Sequence, residues 1–305
     1  SSYIAKIASD NKIVSSLSLD STSVKVSERK SINYITRKLK IINHKSLLTK
    51  KIFLNNLDNI LKAYDQPSID GINTYFISKF ANNNNVKVLL SGLGSDELLL
   101  GYTNDKYFPY MKYLYKIRVA IKYICKIFQS KNSKFINKLN FVELKKELFY
   151  YLFSRGIFNP YQVSQILNLP KISIIKTLNN LFVDTNNSND YAFYSSIQNH
   201  FYLKSQLLCD TDKFSMNFGV EIRVPFLNPN LYKLLIYFFN TNKRSDYLNK
   251  KILKEHFSLP NQTKKQGFCL PMDDWIKELK TNNQLNPNAH WSKKWALYLV
   301  NNYKI

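Results

Sequence analysis

Apolar and polar positions along the chain follow two periods. "SSYIAKIAS" reads as a helix opened by serine, and "KIVSSLSL" as a short buried strand. "SERKSINYITRKLK" reads as a helix with Ser27 at its N-cap and Ile32, Ile35 and Leu39 on one face. "IINHKSLL" gives a second strand, helices follow around 50–63 and 72–82, and "VKVLL" is an apolar strand. Strands alternating with helices predict an α/β fold built on a parallel, doubly wound sheet covered on both faces. In such sheets ligands bind beyond the carboxyl ends of the strands. From about residue 105 the strand signal fades. Phe193, Ile197 and Phe201 recur at i, i+4, and 228–239 and 271–279 also read as helices. The predicted organisation is a single domain over 1–305, with an α/β part at 1–104 and a large, mainly helical extension at 105–305.

Charge changes this picture little. The formal net charge is +23, from 44 Lys and Arg against 21 Asp and Glu. A clustered excess would indicate a polyanionic partner, but most of it is lysine spread along the chain beside asparagine, isoleucine and tyrosine, so nucleic-acid binding is not expected. The denser segment 112–134, "KYLYKIRVAIKYICKIFQSKNSK", reads as a helix with a solvated basic face, or as one resting on a membrane surface or a partner. No run of eighteen apolar residues exists and the start carries no basic-then-apolar leader, which predicts a cytoplasmic protein without a membrane span. Cys125, Cys209 and Cys269 are odd in number and far apart, so reduced thiols are expected. His44, His200, His256 and His290 lack zinc-ligand spacing, which argues against a structural metal.

The chemistry concentrates in "VKVLLSGLGSDELLLGY", residues 86–102, which holds three of only seven glycines. A strand ending in Ser91-Gly92-Leu93-Gly94 and turning into Ser95-Asp96-Glu97-Leu98 places a small-residue loop before a helix N-terminus. Glycine lets backbone approach a ligand closely, and the exposed N–H groups and helix dipole favour phosphate. Asp96 and Glu97 would repel that phosphate unless a cation lay between, and magnesium prefers just such a mixture of carboxylate and phosphate oxygens. Read by itself, the stretch is equally a tight turn with Ser95 and Asp96 capping a helix.

The stretch does not stand alone. "SGLGSDELLLGY" resembles the S-G-x-G-x-D-E-L-x-x-G-Y block of the asparagine synthetase family, in its ATP-dependent synthetase domain. "DQPSIDGINTYFISK" resembles the D-x-P-x-x-D segment that precedes it. Downstream, "DTDKFSMNFGVEIRVPFLNPNL" resembles the D-R-x-S-M-x-x-G-x-E-x-R-V-P-F-L-D block, and "KKQGFCLPMDDWI" the K-x-G-F-x-x-P-x-x-x-W segment. All glycines but Gly156 fall within these four blocks. The family is similar to the PP-loop ATP pyrophosphatases, with their adenine-nucleotide α-hydrolase-like fold. Ser1-Ser2 before the first helix resemble the last residues of the S-G-G-x-D-S-S loop that cradles the leaving pyrophosphate. On that resemblance the chain begins inside its own loop and lacks its first strand. An ordinary serine cap is the other reading.

The resemblance implies ATP-dependent activation of aspartate as β-aspartyl-AMP, with pyrophosphate release, followed by amination to asparagine. It implies ATP and Mg2+ as cofactors, Asp96 as the metal ligand, and Ser1, Ser2, Leu19, Ser91, Gly92 and Gly94 around the nucleotide. It gives Lys265 and Glu97 catalytic parts and makes Asp70, Lys213, Glu221 and Arg223 candidate substrate contacts. Arg223 is able to grip a carboxylate with two parallel hydrogen bonds. A structural ion pair between Glu221 and Arg223 is the equal alternative. Leu93 stands where many asparagine synthetases carry glutamate, Lys213 replaces an arginine, and Asn228 replaces an aspartate. These departures keep open a related AMP-forming amidotransferase or β-lactam-synthetase-like enzyme acting on another carboxylic acid, and a truncated non-catalytic homologue. Glutamine-dependent members draw ammonia from a glutaminase domain with an N-terminal cysteine. No such cysteine is present here, so free ammonia or glutamine-derived nitrogen from a glutaminase domain or subunit is expected.

Overall fold

The computed structural model describes residues 1–21, 29–127, 134–181, 190–241, 270–279 and 289–303. Ser27, Lys265, Gly267 and Cys269 lie outside them. The chain divides into two compact units. One comprises Ser1–Ser95, Leu203–Leu235 and Asp246–Ile305; the other comprises Asp96–Tyr202 and Ile236–Ser245.

The first unit is mixed α/β, with two small parallel sheets. Strand β1 (Ser15–Ser21) pairs in parallel with β2 (Ile42–Leu48), in a register running from Ser15 opposite Ile42 to Ser21 opposite Leu48. Strand β3 (Val88–Leu90) pairs in parallel with β4 (Glu221–Arg223), some 130 residues further along the chain. Each pair requires a crossover connection. Among the described residues no further strand joins these pairs into one sheet. The strand that sequence marks as buried throughout is buried only over Leu19–Ser21, while Ile13 is fully exposed. Val88 and Leu90 are likewise exposed, because nothing among the described residues covers that face of the short β3–β4 pair.

Helices and aromatic rings supply the core of this unit. The expected helix at 50–63 is two, Lys50–Asn55 and Leu57–Ala63. The break is at Asn56, whose amide turns back to Ile52 O at 2.7 Å while its Oδ1 accepts from Lys79 Nζ at 2.5 Å. A buried side chain occupied in this way displaces the regular ladder. Helix Ile72–Asn83 sends Ile72, Tyr75 and Phe76 inward. Phe53 stacks on Trp275 at 5.4 Å, and Phe214 meets Tyr64 and Tyr75 edge-on at 4.8 and 6.0 Å. Edge-to-face rings of this kind contribute beyond their buried area, by about 0.5–1.5 kcal/mol each.

The second unit is helical, and its core is Phe108, Met111, Phe141, Phe149, Tyr150, Tyr194 and Ile197. Phe108 stacks on Tyr194 at 4.5 Å and takes Tyr150 edge-on at 5.3 Å. Of the basic segment 112–134 expected as one helix, residues 128–133 lie outside the described ones; the part up to 127 falls in two helices, Phe108–Lys116 and Arg118–Ile127, the first of which exposes Tyr110 and Tyr113. The i, i+4 pattern at Phe193, Ile197 and Phe201 straddles a change of backbone. An α-helix Asp190–Ile197 widens into a π-helical stretch, Gln198–Leu208. Apolar spacing does not register that widening; at its start Gln198 is fully buried, donates to Tyr194 Oη at 2.8 Å and accepts from Arg155 Nε at 2.8 Å.

Candidate active site

The loop that follows β3 is built from small residues for reasons visible atom by atom. Ser91 N donates to Arg223 O at 2.9 Å, carrying the β3–β4 ladder one residue into the loop. Ser91 Oγ then accepts from Leu93 N at 3.3 Å, and Ser95 Oγ donates to Gly92 O at 3.0 Å, so the turn is closed by its own side chains. Gly94 has φ +87°, and a Cβ there would stand 2.7 Å from Leu227 Cδ2. A Cβ on Gly92 would lie 2.2 Å from the backbone nitrogen of Ser1. The loop and the tip of the opening helix Ser2–Asn11 are therefore in backbone contact, an approach only glycine allows. Ser1 is the N-cap of that helix without making a side-chain cap bond, and no acidic residue stands in its first turn. Helix N–H groups and a glycine turn thus converge beyond the end of a strand, the arrangement that receives an anion.

Asp96 follows the loop directly and is half-buried in the first turn of the five-residue helix Ser95–Leu99. Glu97, its neighbour, is only 2% exposed and accepts the Tyr102 hydroxyl. Burial pushes its carboxyl above the ordinary carboxylate range, opposed by Tyr102 and by the Arg155 charge. Leu19 is a core side chain in β1, opposite Ser46, so only its backbone is on offer to a ligand. Among the described residues no three His, Cys, Asp or Glu side chains gather as a metal cluster. A cation here would draw on one carboxylate together with phosphate oxygens and water, the usual habit of magnesium.

The substrate candidates fall into two places. Glu221 and Arg223 form the structural pair: Arg223 Nε donates to Glu221 Oε1 at 2.7 Å and Nη2 to Oε2 at 3.2 Å, with both side chains exposed. That fork holds the Glu221 carboxyl below its ordinary range. Asp70 sits elsewhere, with Oδ2 accepting from Gln206 Nε2 at 2.8 Å and its carbonyl accepting from Tyr64 Oη at 3.0 Å. Lys213 pairs with Asp65 at 3.3 Å, half-exposed. The two segments meet because Gly71, at φ +92°, lets the chain approach the helix Cys209–Met216, with Phe214 at its side.

Sequence reasoning missed what lies at this junction. Asp210, 4% exposed, accepts from Ser68 Oγ at 2.5 Å beside Asp70. Its only signal was membership of the "DTDK" segment. Burial first, then the Asp70 charge, raises its carboxyl to about 7 in spite of the Ser68 hydrogen bond. The folded value exceeds the ordinary 3.8, so the protonated carboxyl stabilises the fold. That contribution is complete below pH 4 and is lost as pH rises through 7, amounting to about 4 kcal/mol over the window. Urea unfolding across pH 4–8 should show stability falling along this limb. Asp210→Asn should flatten the limb, and an unchanged slope in that variant would assign it to other groups.

A family model described as asparagine synthase matches residues 1–288. The chain is 24% identical over 290 residues to the glutamine-hydrolysing asparagine synthetase 1 of Bacillus subtilis (strain 168). The match covers 87% of this chain and 44% of that protein, so the chain spans less than half the length of the curated relative.

Proposed function

The chain belongs to the asparagine synthase family, and from that premise we propose that it carries the synthetase half of a glutamine-hydrolysing asparagine synthetase. It activates the side-chain carboxylate of aspartate with ATP, releases pyrophosphate and aminates the product to asparagine. The observation that carries this reading is the backbone contact of Gly92 with Ser1, a cradle that any Cβ would fill. In it, Ser1, Ser2, Ser91, Gly92 and Gly94 surround the phosphates, and the backbone near Leu19 holds adenine. Asp96 would hold the magnesium that draws charge off the departing diphosphate. Lys265, outside the described residues, brings a cation to the reacting phosphate, where developing charge most needs one. Asp70 and Lys213 contact the substrate, and Arg223 does so when it exchanges Glu221 for a substrate carboxylate.

We read the two parallel strand pairs as parts of one doubly wound sheet in a single synthetase domain. The protein works in the cytoplasm, and its nitrogen comes as ammonia or from a glutaminase domain or subunit. Among the described residues no helix is long and apolar enough to cross a membrane. Leu93 favours a second reading, in which the same adenylation acts on another carboxylic acid, because leucine offers no carboxylate to the chemistry.

Exchange of labelled pyrophosphate into ATP tests both. Exchange that needs aspartate is the expected result. Exchange with a different acid alone selects the second reading. None with any acid, in the presence of magnesium, rejects adenylation altogether.

A further inference from the structure

The helix that carries Asp96, Ser95–Leu99, has five residues, too few to hold its own shape in water. It is fixed from outside. Gly101 N donates to Asp96 O at 2.9 Å, closing the helix across Leu100. Leu100 itself takes φ +52°, a left-handed conformation that leucine rarely adopts, and is buried there. A bulky residue keeps that conformation only where its surroundings over-determine it. The Leu100 side chain belongs to the apolar core of the second unit, and the backbone on either side of it is held by specific polar contacts. Ser195 Oγ reaches the carbonyls of Glu97 and Leu98 at 3.2 and 3.1 Å. The Glu97 carboxylate receives the Tyr102 hydroxyl, and Tyr102 N donates to Asp105 Oδ2 at 2.8 Å. The Arg155 guanidinium lies 4.1 Å from the Tyr102 ring centre and 3.5 Å from that of Tyr202, with Nε held by Gln198.

We propose that Glu97, Tyr102 and Arg155 are positioning residues that set the direction of the Asp96 carboxylate. Arg155 holds the Tyr102 ring from the side it shares with Tyr202, Tyr102 pins Glu97, and Glu97 fixes the rotation of the helix one residue beyond Asp96. Glu97 on this account touches neither substrate nor the reacting atoms, in contrast to the catalytic part implied by resemblance. The inference rests on the ligase reading only for what Asp96 does; the fixing of the helix is independent of turnover.

The test uses Glu97→Ala, Glu97→Gln, Tyr102→Phe and Arg155→Lys in the whole chain, read by amide hydrogen exchange and by the magnesium dependence of pyrophosphate exchange. Glu97→Ala, Tyr102→Phe and Arg155→Lys should speed exchange of amides 96–101 at least tenfold. The rest of the second unit should stay protected, and half-saturating magnesium should rise about tenfold with a smaller change in maximal rate. Glu97→Gln still accepts from Tyr102 and should restore both readouts. Unchanged amides at 96–101 would overturn the proposal, as would loosening spread evenly over the unit, or local loosening with unaltered magnesium dependence. A wild-type protein inactive with every acid would defeat the ligase reading, and the amide results alone would then decide the clamp.

Discussion

Replacing Gly71 by alanine is expected to remove about 2–5 kcal/mol of stability from the first unit, the sum of a left-handed backbone penalty and an overpacking cost. The new methyl would sit 2.2 Å from Phe214 Cε2 and 2.6 Å from Cδ2, and 3.3 Å from Asp210 Cβ. Phe214 has nowhere to go, being fully buried with Tyr64 and Tyr75 against its edges. The loop must therefore retreat, and with it Asp70, whose bond to Gln206 stands one residue away. Gly219→Ala separates the two contributions: Gly219 has φ +62° and nothing within 4 Å of a Cβ, so only the backbone penalty of about 1–2 kcal/mol applies. Urea denaturation of both variants measures the difference. Equal losses would show that the aromatic cluster yields to the methyl and that the close approach at Gly71 has no energetic weight.

The same glycine shows what a sequence can and cannot disclose. Helix Ile72–Asn83 was legible because Ile72, Tyr75 and Phe76 recur with helical spacing, and parallel pairing was legible from alternating strands and helices. Motif spacing located Gly71, Gly92 and Gly94. It said nothing of what each would meet, since Phe214, Ser1 and Leu227 lie about 90–140 residues away and only folding brings them close. The Asn56 break was invisible because its partner Lys79 comes from another helix. Glu97 illustrates the converse. An acid beside a glycine loop suggests chemistry, yet its burial and its tie to Tyr102 depend on residues whose importance no local pattern announces. The Glu221–Arg223 fork was foreseeable as one of two outcomes, because alternate residues on a strand share a face.

Gly92→Ala should cut pyrophosphate exchange about 100-fold, the usual consequence of displacing reacting groups by around 1 Å, while changing thermal stability little. A Cβ at position 92 would lie 2.2 Å from Ser1 N and 3.0 Å from Ser1 Cα, so it presses on backbone that no rotamer change relieves. The strain is released by moving the start of the opening helix, where no buried residue is at stake. Stability is preserved for the same reason that function is lost: the element displaced carries no core, only the N–H groups that the proposed cradle offers to phosphate. Gly94→Ala gives the opposite balance. It strains φ +87° and strikes a leucine methyl at 2.7 Å, so it should cost stability before it alters the loop's contact with Ser1. Calorimetry and exchange kinetics on the two variants distinguish these outcomes. If Gly92→Ala keeps its activity within threefold of wild type, the approach of Ser1 to the loop plays no part in holding nucleotide, and the cradle must be sought elsewhere in the first unit.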